Sequence, residues 1–240
     1  MKLTFPKRVW RFLTYKLFKE DFPSHYFNPV QLNQLVLLGS EICETAESVF
    51  LTSKKLIQER GISNSGTYFP SYFKTNPRTL DLLELSIKLL RPKIIVETGI
   101  ANGISTRRIL DSFKKQSLLE SRLYSMDIDF NVLSSDLESN TQFKFLKIDK
   151  NNDFEKALKV VPGLIDIFFH DSDHSYYNQY LEYCLAWERL SPCGIIISDD
   201  INWSNAFLDF CKHRGIKPKV LCDGIKFSGV ISRNDVAFNL

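Results

Sequence analysis

An α/β fold, a doubly wound and mostly parallel sheet of seven strands whose last strand is antiparallel, is what this sequence predicts. Three observations lead there. From about residue 75 onward, short apolar runs alternate with segments of helical periodicity. Those runs ("KIIVE", "RLYSMD", "FKFLKI", "IDIFFH", "GIIIS") are continuously apolar where a half-exposed strand would alternate, so they belong to a sheet covered on both faces. The last two runs, "KPKVLCD" and "KFSGVISR", are separated only by the short region around Gly224 and Ile225, which is hairpin spacing and makes the final strand antiparallel.

The elements follow in order. Residues 1–75 read as an N-terminal helical extension with a lid-like loop, and residues 76–240 as the α/β domain. The extension opens with "KLTFPKRVWRFLTYKLFKE", where Lys2, Lys7, Arg8, Arg11, Lys16 and Lys19 precede any acid and are interleaved with Phe5, Trp10, Phe12, Tyr15 and Phe18. Such a segment packs on its own domain or on a second subunit of a homodimer, or lies peripherally on an anionic membrane surface. One or two further helices are expected between Val30 and Arg60, followed by the loop "GISNSGTYFPSYFKTNP". Asn76 and Pro77 are an N-cap and first-turn proline, and Leu80, Leu83, Ile87 and Leu90 then recur at helical spacing until Pro92 stops the helix.

Bulk properties narrow the function. A net charge of +3 is too small to indicate a nucleic-acid partner. Five cysteines, an odd count with no CxxC pair, argue against a zinc knuckle or disulfide framework and fit a reducing, cytoplasmic setting. No apolar run reaches the roughly 18 residues that span a bilayer, and the basic N-terminus lacks the apolar core of a signal peptide.

In a doubly wound sheet the ligand lies beyond the carboxyl ends of the strands, so those ends carry the functional reading. After the first, "VETGIANGIST" sets Gly99 and Gly103 around a tight turn into a helix whose first amides are unsatisfied. The spacing is not that of a dinucleotide fingerprint, and Glu97 would repel a pyrophosphate while suiting an ammonium or sulfonium group. After the second strand Asp127, with Asp129 in reserve, can accept from a ribose diol. After the third, Asp149 suits an adenine edge as well as it suits an ordinary surface turn.

These features resemble the class I S-adenosylmethionine-dependent methyltransferases over roughly Asn76 to Leu240, through "VETGIANGIS", the acid of "SMDID" and the closing hairpin. The resemblance implies a Rossmann-like fold and S-adenosylmethionine as cofactor. It further implies Glu97, Gly99, Gly103 and Ser105 around the methionine moiety, Asp127 on the ribose hydroxyls and Ile128 packed on adenine. The segment "IDIFFHDSDHSYYNQYLEYCLAWERLSPCGIIISDDI" is similar to O-methyltransferases acting on sugars of antibiotics and cell-surface glycans, which implies a small-molecule or glycan acceptor. Cys193 departs from that pattern, where a glycine is usual.

Asp171 ends the fourth strand, and Asp199 and Asp200 end the fifth. Three carboxylates on neighbouring strands raise one another's pKa, a conflict that a hard divalent cation such as Mg²⁺ relieves with oxygen ligands. Asp171, Asp199 and Asp200 match the metal positions of the catechol-type and macrolide-sugar enzymes that the chain resembles. His174, three residues past Asp171, is the candidate general base for a metal-bound hydroxyl, as in sugar-directed relatives. Asp173 is read as a helix cap and His170 as a core residue. A two-histidine, one-carboxylate iron site is disfavoured because HDSDH lacks the His-x-Asp pair. The rival readings are a metal-independent methyltransferase, in which the three aspartates meet substrate or cofactor directly, and a non-catalytic S-adenosylmethionine-binding module.

Overall fold

The computed structural model describes residues 26–27, 75, 77–128, 135–149, 153–216, 218–222 and 227–233. Its elements run β1 (Tyr26–Phe27), α1 (Pro77–Leu90), β2 (Ile94–Thr98), α2 (Ile104–Lys115), β3 (Arg122–Asp127), α3 (Ser135–Glu138), β4 (Phe143–Lys147), α4 (Asp153–Val160), β5 (Ile165–His170), α5 (Tyr176–Arg189), β6 (Leu190–Ser198), α6 (Ala206–Arg214), β7 (Lys219–Cys222) and β8 (Phe227–Ser232). The expected helices of the N-terminal extension, the lid-like loop and the reserve acid Asp129 lie outside the described residues.

One sheet holds all the strands in the order β1-β7-β8-β6-β5-β2-β3-β4. The seven strands from β2 to β8 are those the sequence predicts, and β8 pairs antiparallel with both β6 and β7. Every other pairing is parallel. The two-residue β1, where no strand was expected, joins the edge beside β7. From β2 at the sheet centre the chain moves out through β3 to β4, then returns to β5 on the other side of β2. The carboxyl ends of β2 and β5 therefore flank the point where strand order reverses, the place where such sheets bind ligands.

Consecutive strand residues point to opposite faces, and both faces are buried. Val96, Tyr124, Met126, Phe168 and Ile196 pack with Phe154, Tyr183, Trp187, Phe207 and Phe210. Their neighbours Ile95, Leu123, Ile167, Phe169, Ile195 and Ile197 pack with Leu83, Ile87, Ile109 and Phe113 of α1 and α2. This is why the strands read as unbroken apolar runs. On β8, a Cβ at Gly229 would lie 2.3 Å from the Phe207 ring, so the missing side chain is what lets α6 seat that ring on the strand.

Helix α5 runs through Tyr177, Leu181, Cys184 and Leu185, with Cys184 and Leu185 packed against the edge of the core. In α5 the buried residues are Gln179, Glu182, Tyr183, Ala186 and Trp187, while Tyr177 is 65% exposed. One local expectation is corrected. Asp173 is not the cap of that helix; Ser175 is. Asp173 instead accepts from the Ser175 amide and hydroxyl, both at 3.0 Å, and so shapes the turn one step ahead of the helix. Cys193 is exposed within β6, at an irregularity where Ile165 pairs with Leu190 and Ile167 with Ile195.

Candidate active site

The β2 turn is held by close backbone packing. Gly99 has φ +85°, and a Cβ there would fall 2.2 Å from the Asp171 carbonyl oxygen, so the β2 and β5 end loops meet backbone to backbone. Any side chain would need both a disfavoured conformation and that space. Gly103, at φ +68°, precedes α2.

Glu97 is fully buried, with Oε1 accepting from Ser105 (2.5 Å) and Oε2 from Thr106 (2.8 Å) and Ser125 (2.6 Å). Burial raises its carboxyl above the usual range, and the three hydroxyls pull the other way. Glu97 and Ser105 thus meet each other, with Glu97 bracing the glycine turn from beneath. On β3, Asp127 Oδ2 accepts from the amides of Ile100 (2.7 Å) and Ala101 (3.4 Å), which ties the acid to the same turn. Ile128 follows it with 58% exposure, unusual for an isoleucine. Asp149 is exposed beyond β4, 3.9 Å from the Lys147 ammonium.

On the other half of the sheet edge, Asp171 Oδ1 and Asp200 Oδ2 each lie 3.8 Å from His174 Nε2. The side chains of Asp171, Asp200 and His174 are only 13%, 6% and 19% exposed, which makes a sheltered cluster. Asp171 Oδ2 also accepts from Thr75 at 2.7 Å. Asp200 adopts φ +48°, rare for a residue with a side chain, immediately after β6. Asp199 has other partners. It is fully buried, and its Oδ1 accepts from Thr79 (2.8 Å) and Ser228 (2.9 Å), two hydroxyls that also contact each other. Among the described residues no group of three or more His, Cys, Asp or Glu is arranged to hold a metal ion.

Beneath this cluster lies a polar layer that the sequence reading missed. Glu182, 2% exposed, accepts from Thr98 (2.7 Å), Asn178 (2.9 Å) and Ser172 (3.1 Å), and burial lifts its pKa to about 7. Its Oε2 lies 3.5 Å from Nε2 of His170, which is buried as expected and which burial holds well below its ordinary pKa, hence neutral. Gln179, also fully buried, reaches the Nδ1 side of His174. The available signal was two polar residues, Gln179 and Glu182, spaced three apart on a helix that must pack on the sheet.

Residues 96–201 match the family model described as "Methyltransferase domain". No curated protein matches the chain. Solved structures share the fold. The O-methyltransferase from Bacillus cereus in complex with SAH is 16% identical with a TM-score of 0.52, over 79% of this chain and 90% of that one. The SAH-bound methyltransferase PaMTH1 of Podospora anserina is 14% identical with a TM-score of 0.53, over 78% and 88%. The O-methyltransferase TomG of Streptomyces achromogenes, involved in tomaymycin synthesis and solved with SAM, is 12% identical with a TM-score of 0.50, over 78% and 90%. The sheet order and strand-end turns define the Rossmann-like class I methyltransferase fold. The matched segment, residues 96–201, is similar to a methyltransferase domain and lies within that fold.

Proposed function

We propose that this chain O-methylates a hydroxyl of a small molecule or glycan, with a sugar or glycoside as the acceptor class. The observation that carries the reading is the convergence of Asp171 and Asp200 on one edge of the His174 ring, beside the turn where Gly99 packs on Asp171.

The residues at the β2 and β3 ends fit the donor. Asp127 is a positioned acid suited to a ribose diol, Ile128 is an exposed apolar surface suited to adenine, and the Gly99–Gly103 turn stands beside both, at the place this reading gives the methionine moiety. S-adenosylmethionine supplies an electrophilic methyl carbon whose bonding pair stays on sulfur when an oxygen takes the carbon. His174 Nε2 takes the acceptor hydroxyl's proton as the new C–O bond forms, which leaves an imidazolium between two carboxylates. Asp171 and Asp200 orient that ring and stabilise its charge.

The donor chemistry of Asp171 and Asp200 also fits a Mg²⁺ ion, which binds through one or two carboxylates and completes its shell with water or substrate oxygens. Such an ion would acidify the acceptor hydroxyl. Asp199 adjoins the pair and completes the acid set of this reading. Its commitment to Thr79 and Ser228 favours a second reading, metal-independent transfer with His174 and the acids acting directly. We further assign to Thr75, just ahead of α1, and to Thr79 in its first turn a share in shaping the acid cluster, because they touch Asp171 and Asp199.

The test is methyl transfer from labelled S-adenosylmethionine to a panel of simple glycosides, with Mg²⁺ or with EDTA. Transfer lost in EDTA supports the metal-assisted form, and transfer that survives supports the second. No transfer, together with no thermal stabilisation by S-adenosylhomocysteine, overturns the methyltransferase reading.

A further inference from the structure

The base proposed above does not stand alone. Behind His174 a chain of hydrogen bonds runs into the protein. The Ala206 amide at the start of α6 donates to Ser204 Oγ (3.2 Å), and the Ser204 hydroxyl donates to Gln179 Oε1 (2.6 Å). With its oxygen turned to Ser204, the Gln179 amide presents its NH₂ to His174, Nε2 to Nδ1 at 3.4 Å. Gln179 is fully buried on the first turn of α5, and the Trp203 ring stacks near-parallel to the imidazole (17°, centroids 6.4 Å apart). The Nδ1 edge of the ring thus faces a buried amide.

We infer that Gln179 is a positioning residue that sets the tautomer of His174, and that Ser204 sets Gln179. The reasoning uses only donors and acceptors. An NH₂ group can only donate, so Nδ1 must accept, and a neutral imidazole then carries its proton on Nε2. That proton faces Asp171 and Asp200, each 3.8 Å away. In this arrangement Nε2 has no lone pair to take a proton from a hydroxyl. A base at Nε2 requires the proton on Nδ1. For that, the Gln179 amide turns over so that Oε1 accepts from Nδ1–H and Nε2 donates to Ser204 Oγ. A half-turn of one buried amide thus converts His174 from a donor toward its two carboxylates into a base toward an acceptor hydroxyl. This deepens the proposed function and rests on His174 being its base. The tautomer claim itself is measured without turnover.

The experiment is ¹⁵N NMR of the histidine side chains in the full chain, about two pH units above the ordinary imidazole pKa. With four histidines in the sequence, a His174→Ala spectrum assigns the signals by difference. The wild type is expected to show a pyrrole-type Nε2 and a pyridine-type Nδ1. Gln179→Glu keeps the shape but offers only acceptors, so the two shifts should exchange. Ser204→Ala frees the amide, so the two shifts should move toward each other. A folded Gln179→Glu protein that still carries its proton on Nε2 overturns the inference. If that variant does not fold, unchanged shifts in Ser204→Ala overturn it instead. A His174→Ala protein that methylates at the wild-type rate removes the base reading and leaves the tautomer result standing, so the two failures are distinguishable.

Discussion

The two halves of the sheet edge use their acids in opposite ways. At the β2–β3 half, Glu97 is turned inward and satisfied by Ser105, Thr106 and Ser125, so it shapes a turn. At the β5–β6 half, Asp171 and Asp200 face a histidine at a common 3.8 Å and remain partly open to a ligand. An acid at a strand end is thus not yet a functional acid. What distinguishes them is the supply of hydroxyls: three surround Glu97, and two donate to one oxygen of Asp199.

That contrast is breakable at several points, and the largest effect is expected on the β5–β6 half. Asp171→Asn or Asp200→Asn should lower methyl transfer by roughly a hundredfold or more, the scale of losing one group that stabilises developing charge. S-adenosylhomocysteine should still raise the melting temperature of either variant. Loss of cofactor binding in both would mean the halves are not separable.

Next is Gly99→Ala, which drives a Cβ to 2.2 Å from the Asp171 carbonyl at a left-handed φ. The cost should be about 3 kcal/mol or more in urea denaturation, within the range of strained-backbone substitutions. A near-neutral result would show that the two loops are not in register as described.

A smaller, pH-dependent effect belongs to Glu182. Burial raises its folded pKa to about 7 from a reference of 4.5. An acid whose pKa rises on folding binds its proton more tightly in the native state. Its contribution is therefore full below the unfolded pKa and is lost as pH climbs from 4.5 to about 7. Glu182→Gln should flatten melting temperature against pH in that window, and an unchanged slope would remove Glu182 as the cause. The smallest effect is predicted for Asp149→Asn. That residue is exposed beyond the edge strand, so stability should move by less than about 0.5 kcal/mol.

Much of the fold was legible because its signals are local. Unbroken apolar runs meant a sheet buried on both faces, Pro77 opened α1 at the expected residue, and the short link before Phe227 meant a hairpin. The two-residue β1 was not legible, since it exists only by pairing with β7, distant in sequence. For the site, Asp171, His174 and Asp200 come together as the strand ends implied. The hydrogen bonds to Asp199 come from Thr79 and Ser228, separated from it by 120 and 29 residues, and nothing near Asp199 announces them. The same holds for the face of α5. Gln179 and Glu182 are buried there alongside apolar neighbours because His174, Thr98 and Ser172 supply partners.

The most direct measurement is calorimetric titration of S-adenosylhomocysteine into the full chain and into His174→Ala. The account predicts one site on both proteins with nearly the same affinity, about 100 μM or tighter as for ordinary enzyme ligands, because the proposed function has the β2–β3 half bind the donor and His174 serve only the transfer. No binding to the wild type would contradict it.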